Sequence, residues 1–538
     1  MQFRKTYLTL DETGYFPKTL LEYIKGEPAL APFYEYHPDI KEFKKAIEGR
    51  KNAGMNRQLL ADVLMERYKA NAPDTTEAVK KNIESIASPD CFTVTTGHQL
   101  CLFTGPLFFI YKILTTINVA KKLREEYPGY KFVPVYWMAS EDHDFAEINH
   151  AYLFGRKLEW ASAEKTGGPV GNIPVLSLKP LLDDLFAIMG SSPAASELRN
   201  IITQAYCNHA TLSEAVFYLA DRLFGEYGLV IVDAANTRLK REFLPVICDE
   251  LENQNSCKLV EQTNTRLKEA GLEPQIYNRE INLFYIDGDT RNRIEKQGSA
   301  YRILNTDKIF TADQIAAEAK ASPEKFSPNV VLRPLYQQII LPNIAYVGGP
   351  SEIAYWLQLK GIFTHYKAAY PVLLPRCSAL VIDRQSAERM NKLEIKLSDL
   401  FRDTEETIKE HVVKNSPVNT GFEEEKYQLK KIYDAMAMKI KQVDPTLVSL
   451  PEAELQKQYN AIKGMETKLI RAQKQKLENS VNQIRKLKEK LIPSGELQER
   501  HDNFIPFYLA YGKSFFSMLA DNLDPFDFRF AVLRESDD

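Results

Sequence analysis

From about residue 90 to about residue 375 short apolar runs alternate with longer helical stretches, and this alternation constrains the fold more than any other feature. Strands joined by helical crossovers pair in parallel, in a sheet covered on both faces. CFTVTT (residues 91–96) reads as a first strand, followed by the loop GHQLCLFTGP and by a helix that Pro106 opens and that runs to about Tyr127. Proline suits a first helical position because its missing N–H would have no partner there. KFVPVYWMAS ends a second strand near Ser140 and leads into the acidic loop EDHDFAE. About forty residues separate the two strand ends, room for one right-handed crossover. LVIV (residues 229–232) reads as a buried strand ahead of a helix that starts after Asn236. PLYQQIILPNIAYVGGPSEIAYWLQLKGIF sets a Gly-Gly-Pro turn directly before a helix, and AAYPVLLPR reads as a last strand.

These units predict a Rossmann-like α/β core over residues 1–384. Inserted connecting segments occupy about 160–330, where helices mix with the hairpin-like INLFYIDGDTRNRI in an order the pattern does not fix. After Arg384 the texture changes to long charged helices. Met390, Leu393, Leu397 and Leu400 fall 3, 4 and 3 residues apart, a narrow apolar seam. A second helix over about 452–492 repeats the seam at Leu455, Tyr459 and Ile462, then at Leu477, Val481, Ile484, Leu487 and Leu491. Residues 385–500 therefore read as an antiparallel coiled-coil hairpin. The tail, 501–538, contains NFIPFYLAYGKSFFSML, too apolar to stand in water, and is expected to pack back on the core.

Composition narrows the function classes. With 69 Lys and Arg against 72 Asp and Glu the net charge is −3, which exerts no global pull on nucleic acid or anionic lipid. MQFRKTYLTLDETGYF lacks the apolar stretch of a secretory signal, and no window approaches the roughly 20 apolar residues that span a bilayer, so a cytoplasmic protein without membrane or nucleic-acid partners is expected. Six cysteines are scattered without a CxxC pair, which points to reduced thiols, with Cys91 and Cys101 as packed structural groups.

Ligands of a parallel sheet sit at the carboxyl ends of its strands. Three loops qualify there: Gly97, His98 and Gln99 with Thr104, Gly105 and Pro106; then Ser140, Glu141, Asp142, His143 and Asp144; then Gly348, Gly349, Pro350, Ser351 and Glu352. Glycines let main-chain N–H groups approach a phosphate or carboxylate. His98 is expected to donate to a transferred phosphate or acyl oxygen while titrating near neutral pH, and Gln99 to add a hydrogen bond. The acidic turn, with Glu147 and His150 close behind, can orient an amine and accept its proton, or hold Mg²⁺; an acidic helix start is the plainer alternative. The spacing of seven between His143 and His150 fits no zinc motif, and no metal centre is assigned. Lys112, Arg333 and Arg376 are candidate cations of the cleft, and Trp137 and Tyr355 its walls. No Walker A or GxGxxG segment occurs.

TGHQLCLFTGPLFFIYK, VPVYWMASEDHDFAEINH and GGPSEIAYWLQL resemble, in sequence and in order, the signature segments of the cysteine-adding enzymes of bacillithiol biosynthesis, and the resemblance spans nearly the whole chain. It implies a Rossmann-type core, a homodimer joined through the coiled coil, and a cysteine ligase that condenses L-cysteine with the amine of glucosaminyl malate in the last step of the pathway. ATP is expected to drive the reaction, because an amide from a free carboxylate and an amine is uphill in water; Mg²⁺ would accompany the nucleotide. Under this reading His98, Asp142, His143 and Asp144 carry the chemistry. Gly97, Gln99, Thr104, Gly105, Trp137, Ser140, Gly348, Gly349, Ser351, Glu352 and Tyr355 form the binding pocket. The family usually places Gln where His98 stands. Two other readings stay open: a nucleotide- or tRNA-binding module related to class I synthetase cores, whose HxGH and KMSKS elements are missing here, and a coiled-coil scaffold.

Overall fold

A computed structural model of the chain describes residues 3–51, 53–161, 167–417 and 421–536. The chain divides into two units, the larger formed by Lys5–Leu380 with Gln498–Val532 and the smaller built on Val381–Leu497.

In the larger unit β1 (Cys91–His98) is followed by α1 (Phe108–Glu126), β2 (Lys131–Met138), β3 (Val230–Asp233) and α2 (Thr237–Asn253). The inserted region then contributes β4 (Leu283–Asp287), β5 (Thr290–Gln297), β6 (Ala300–Ile303), β7 (Ile309–Thr311) and β8 (Phe326–Pro328). The chain returns through α3 (Arg333–Ile340), β9 (Asn343–Gly348), α4 (Pro350–Trp356) and β10 (Val372–Pro375).

β10, β9, β1, β2 and β3 form, in that order, a five-stranded parallel sheet. β1 is buried from Cys91 to Gly97, as a central strand covered on both faces must be. Its crossover helix α1 is buried nearly all round, and Val119, Ala120 and Leu123 pack on Phe92, Val94, Phe132, Ile344 and Val372 of the sheet. Truncating Phe92 to Ala in such a core costs about 3–5 kcal/mol. The order of the sheet positions the site: from β1 the chain moves outward to β2 and β3, and later fills the other side with β9 and β10. The strand order thus reverses between β1 and β9, and a cleft opens over the strand ends at such a reversal.

The inserted strands make a separate antiparallel sheet of order β7, β6, β5, β4, β8. Gly288 and Asp289 turn the β4–β5 hairpin, Asp287 pairing with Thr290 and Gly288 at φ +56°. This resolves the order of elements the sequence pattern leaves unfixed.

In the smaller unit the long helices are α5 (Glu423–Val443), α6 (Ser449–Lys476) and α7 (Glu478–Leu491). The single helix expected over 452–492 is interrupted at Leu477, whose ψ of 20° leaves the helical range. Val481, Ile484, Leu487 and Leu491 are buried as the seam predicts, and Met390, Leu393 and Leu400 are buried with them. Glu405 braces this bundle, accepting from Lys474 and Arg485 at 2.8 Å each.

Candidate functional site

A cavity of about 730 Å³ opens over the ends of β1, β2 and β9. Gly97 and His98 reach it because β1 and β2 are paired to their last residues, Gly97 opposite Trp137 and His98 opposite Met138. The next residues of the two strands, Gln99 on one side and Ser140 to His143 on the other, are thereby delivered to one hollow. A Cβ on Gly97 would stand 3.1 Å from the Tyr346 hydroxyl, a tight approach that a larger residue could make only if that hydroxyl shifted.

Two clusters of opposite charge line this cavity. In the acidic one, Gln99 Nε2 donates to Asp142 Oδ2 and to Glu147 Oε2, both at 2.8 Å. Asp142 Oδ1 accepts the backbone N–H of His143 at 2.7 Å. Burial opposes ionisation of Asp142, while the hydrogen bonds from Gln99 and from the His143 backbone N–H, with the charge of Arg291 nearby, favour it, and the carboxyl is held well below its usual range. Glu141 turns inward instead: Lys240, fully buried, donates to it at 2.8 Å, and so does Ser327. Ser140 lines the cavity and donates to Asp233 at 2.6 Å.

In the cationic cluster Lys112 is buried, donates to the Gly97 carbonyl at 2.9 Å and pairs with Glu352. Glu352 also accepts from the Tyr346 hydroxyl (2.6 Å) and from the Gly349 N–H (2.7 Å). Burial raises its pKa, but Lys112, the Tyr346 hydroxyl and the Gly349 N–H together lower it more and favour the ionised form. Its carboxylate is therefore occupied by the protein. Arg333 donates to Gln337 at 3.0 Å and to the Tyr355 hydroxyl at 3.4 Å, and lies over the rings of Trp137 and Tyr346. Arg376 pairs with buried Glu499 at 2.7 Å, while its Nε is sealed from solvent with no hydrogen-bond partner among the described residues. Arg279, Arg293 and Arg500 add charge to the lining.

His98 packs between the rings of Phe108 and Phe109, at 5.2 and 5.1 Å, with Nε2 sealed and without a hydrogen-bond partner among the described residues. Burial first, then the charges of Lys112 and Arg376, push it well below the usual histidine range. The expectation that this ring changes charge near neutral pH is corrected: burial and the two cations favour its neutral form.

Gly349, Ser351, Tyr355 and Trp137 line the cavity with the residues above. Thr104, Gly105, Gly348 and Asp144 do not. Gly105 has φ +68° and no room for a Cβ, which would meet Cys101 at 2.7 Å; its carbonyl accepts from Asn503. Thr104 is buried beside it. Gly348 is the last residue of β9, its carbonyl taken by the Arg376 N–H at 2.9 Å. Asp144 caps the short helix Phe145–Ile148 through the Glu147 N–H. Cys101 is fully buried and its thiol is pushed up to about 12 by that burial, a packed group as expected, and Cys91 is buried and raised as well. Among the described residues no three His, Cys, Asp or Glu side chains converge as a metal ligand set.

Sequence reasoning missed Arg291, Lys240, Ser327 and Asp233. They lie in the inserted region or behind the acidic turn, and no spacing in the sequence ties them to it.

Comparison with known proteins adds the following. A family model described as the N-terminal Rossmann-like domain of bacillithiol biosynthesis BshC matches residues 3–377, and one for the C-terminal coiled-coil domain matches residues 379–535. The chain is 39% identical over 532 residues to a Flavobacterium psychrophilum protein named "Putative cysteine ligase BshC", covering 98% of this chain and 99% of that one. Proteins of the same name from Flavobacterium johnsoniae and Cytophaga hutchinsonii are each 38% identical, over 98% and 96% of this chain and 99% and 97% of their own.

Proposed function

The chain belongs to the BshC family of bacillithiol biosynthesis, and from that premise we propose that it is a ligase joining L-cysteine to the amine of glucosaminyl malate through an amide bond, in the last step toward bacillithiol. The observation that carries this reading is the pairing of opposite charges in one cavity. Asp142 and Glu147 accept hydrogen bonds only, as ionised carboxylates do, and suit an amine or ammonium group. Arg333, with Arg279 and Arg293 on the same lining, suits carboxylate or phosphate oxygens. An amino acid and an amino-sugar malate present both kinds of group, and holding two reactants in one hollow removes much of the entropic barrier to their joining.

ATP, when bound, supplies the activation of the cysteine carboxyl. The guanidinium donors of Arg333, Arg279 and Arg293 fit its phosphates. Mg²⁺ carried on those phosphates needs only one or two protein carboxylates, a requirement Asp142 and Glu147 fit. His98, neutral among cations, donates or accepts a hydrogen bond without moving a proton. Lys112 and Glu352 hold the Gly97 and Gly349 turns in place from beneath.

Two copies pair through the coiled coil in this reading. α5 buries none of its residues and exposes Ile432, Met436 and Val443 on one face. Work in the cytosol completes it; among the described residues no helix is long and apolar enough to cross a membrane.

The test is reconstitution. Purified protein incubated with L-cysteine, glucosaminyl malate, ATP and Mg²⁺ yields, by mass spectrometry, a thiol of the summed substrate masses less one water. Absence of that product with any nucleotide removes the ligase assignment.

A further inference from the structure

Arg291 leaves the antiparallel sheet at β5 and ends against the acidic turn. Its guanidinium lies 3.9 Å from the Phe284 ring centre. Nε donates to Ser327 Oγ at 3.1 Å and Nη2 to the Pro328 carbonyl at 3.2 Å. Nη1 stands 2.9 Å from His143 Nδ1. The side chain is buried and held on three sides, so its orientation is fixed.

A guanidinium offers only donors and stays charged in proteins. In the hydrogen bond between Nη1 and Nδ1 the histidine must therefore accept, which requires a lone pair on Nδ1. A neutral imidazole carries one proton, and with Nδ1 accepting, that proton is on Nε2. Asp142 does not reverse this. Its Oδ1 is 3.6 Å from Nδ1, too far for a hydrogen bond, and already takes the His143 backbone N–H, while Oδ2 takes Gln99.

We infer that Arg291 is a positioning residue that fixes His143 as its Nε2–H tautomer, so that His143 meets substrate as a hydrogen-bond donor to an oxygen and not as the acceptor of the amine proton. The tautomer follows from the protein alone; which oxygen it serves rests on the ligase reading. The proton acceptors left in the acidic cluster are the carboxylates of Asp142 and Glu147. A neutral imidazole donor aimed at developing oxygen charge is an effective electrophile, since it needs no reorganisation when the charge appears.

Two measurements test this. Protein labelled with ¹⁵N-histidine, His143 being assigned by its loss in His143→Gln, shows in a long-range ¹H–¹⁵N spectrum the Nε2–H pattern in the wild type. Arg291→Met shows a mixture with the Nδ1–H form. An Nδ1–H pattern in the wild type overturns the proposal without any variant having to fold, and an unchanged pattern in Arg291→Met overturns the role of Arg291. The second measurement compares turnover. Glutamine places an amide N–H near Nε2, so His143→Gln stays within about 10-fold of wild type while His143→Ala falls about 10²- to 10³-fold, the usual effect of losing such a donor. A base at this position gives both variants an equal loss, which contradicts the donor role. If no preparation turns over, the ligase reading fails and the spectrum still decides the tautomer.

Discussion

Gln99 donates one amide N–H to Asp142 and the other to Glu147, each over 2.8 Å, and so ties the glycine turn after β1 to the acidic turn after β2. Both donors are spent on carboxylates, which leaves the amide oxygen as its remaining polar atom. Replacing Gln99 by Leu removes two hydrogen bonds to charged groups, each of which contributes about 1.5–3 kcal/mol. The variant is expected to fold, because Gln99 is at the cavity edge, and to lose about 10- to 100-fold in kcat/KM, as measured by product formation. Unchanged kinetics would show that the orientation of Asp142 does not depend on Gln99.

Asp142 gives a pH dependence with a definite sign. Its folded-state pKa is depressed, burial being outweighed by its hydrogen bonds, so the folded chain keeps the charge after the unfolded chain has taken up a proton. The stability this contributes is complete above the unfolded value of about 3.9 and is lost as pH falls below it toward the folded value. Urea unfolding followed from neutral pH downward should show wild type losing stability on acidification more steeply than Asp142→Asn. Parallel curves would contradict the assignment.

Lys240 and Glu141 form an ion pair beneath the acidic turn in which the lysine side chain has no exposure. Removing one member of such a pair strands a charge and costs about 3–5 kcal/mol. Lys240→Met should therefore lower the unfolding free energy by that amount, and the double variant Lys240→Met, Glu141→Leu should recover a large part of it. A double variant as unstable as the single one would mean that packing, not charge, sets the loss.

The exposed face of α5 predicts the state of association. Met436→Asp with Ile432→Asp places charge on that face and should shift the sedimenting species from the mass of two 61.6 kDa chains to one. A monomeric wild type, or a dimer indifferent to both changes, would contradict pairing through α5.

The parallel core was legible because a buried strand cannot hide its composition: β2 reads as a nearly continuous apolar run, and β1, buried from Cys91 to Gly97, carries only threonine and glycine beside its apolar residues there. Gly97, Gln99, Ser140, Asp142 and His143 were legible for a related reason, since residues that follow two hydrogen-bonded parallel strands must emerge side by side. Arg291 and Ser327 were not, because their arrival depends on how a separate antiparallel sheet folds back over the turn, and nothing local in TRN or FSP records that. Gly105 and Asp144 misled because glycine and aspartate serve backbone needs as readily as ligands: one permits a close approach to Cys101 and the other caps a helix. His98 misled differently. Its residue type signals titration, but its surroundings of Phe108, Lys112 and Arg376 suppress it.

The central claim is that one hollow receives both substrates, amine toward Asp142 and Glu147, acid groups toward Arg333 and its neighbours Arg279 and Arg293. A crystal structure with glucosaminyl malate and L-cysteine bound tests it most directly. The account predicts the glucosamine nitrogen within hydrogen-bonding distance of Asp142 or Glu147, with a malate or cysteine carboxylate on Arg333, Arg279 or Arg293. Substrates bound elsewhere, or bound here with the nitrogen against the arginines, would contradict it.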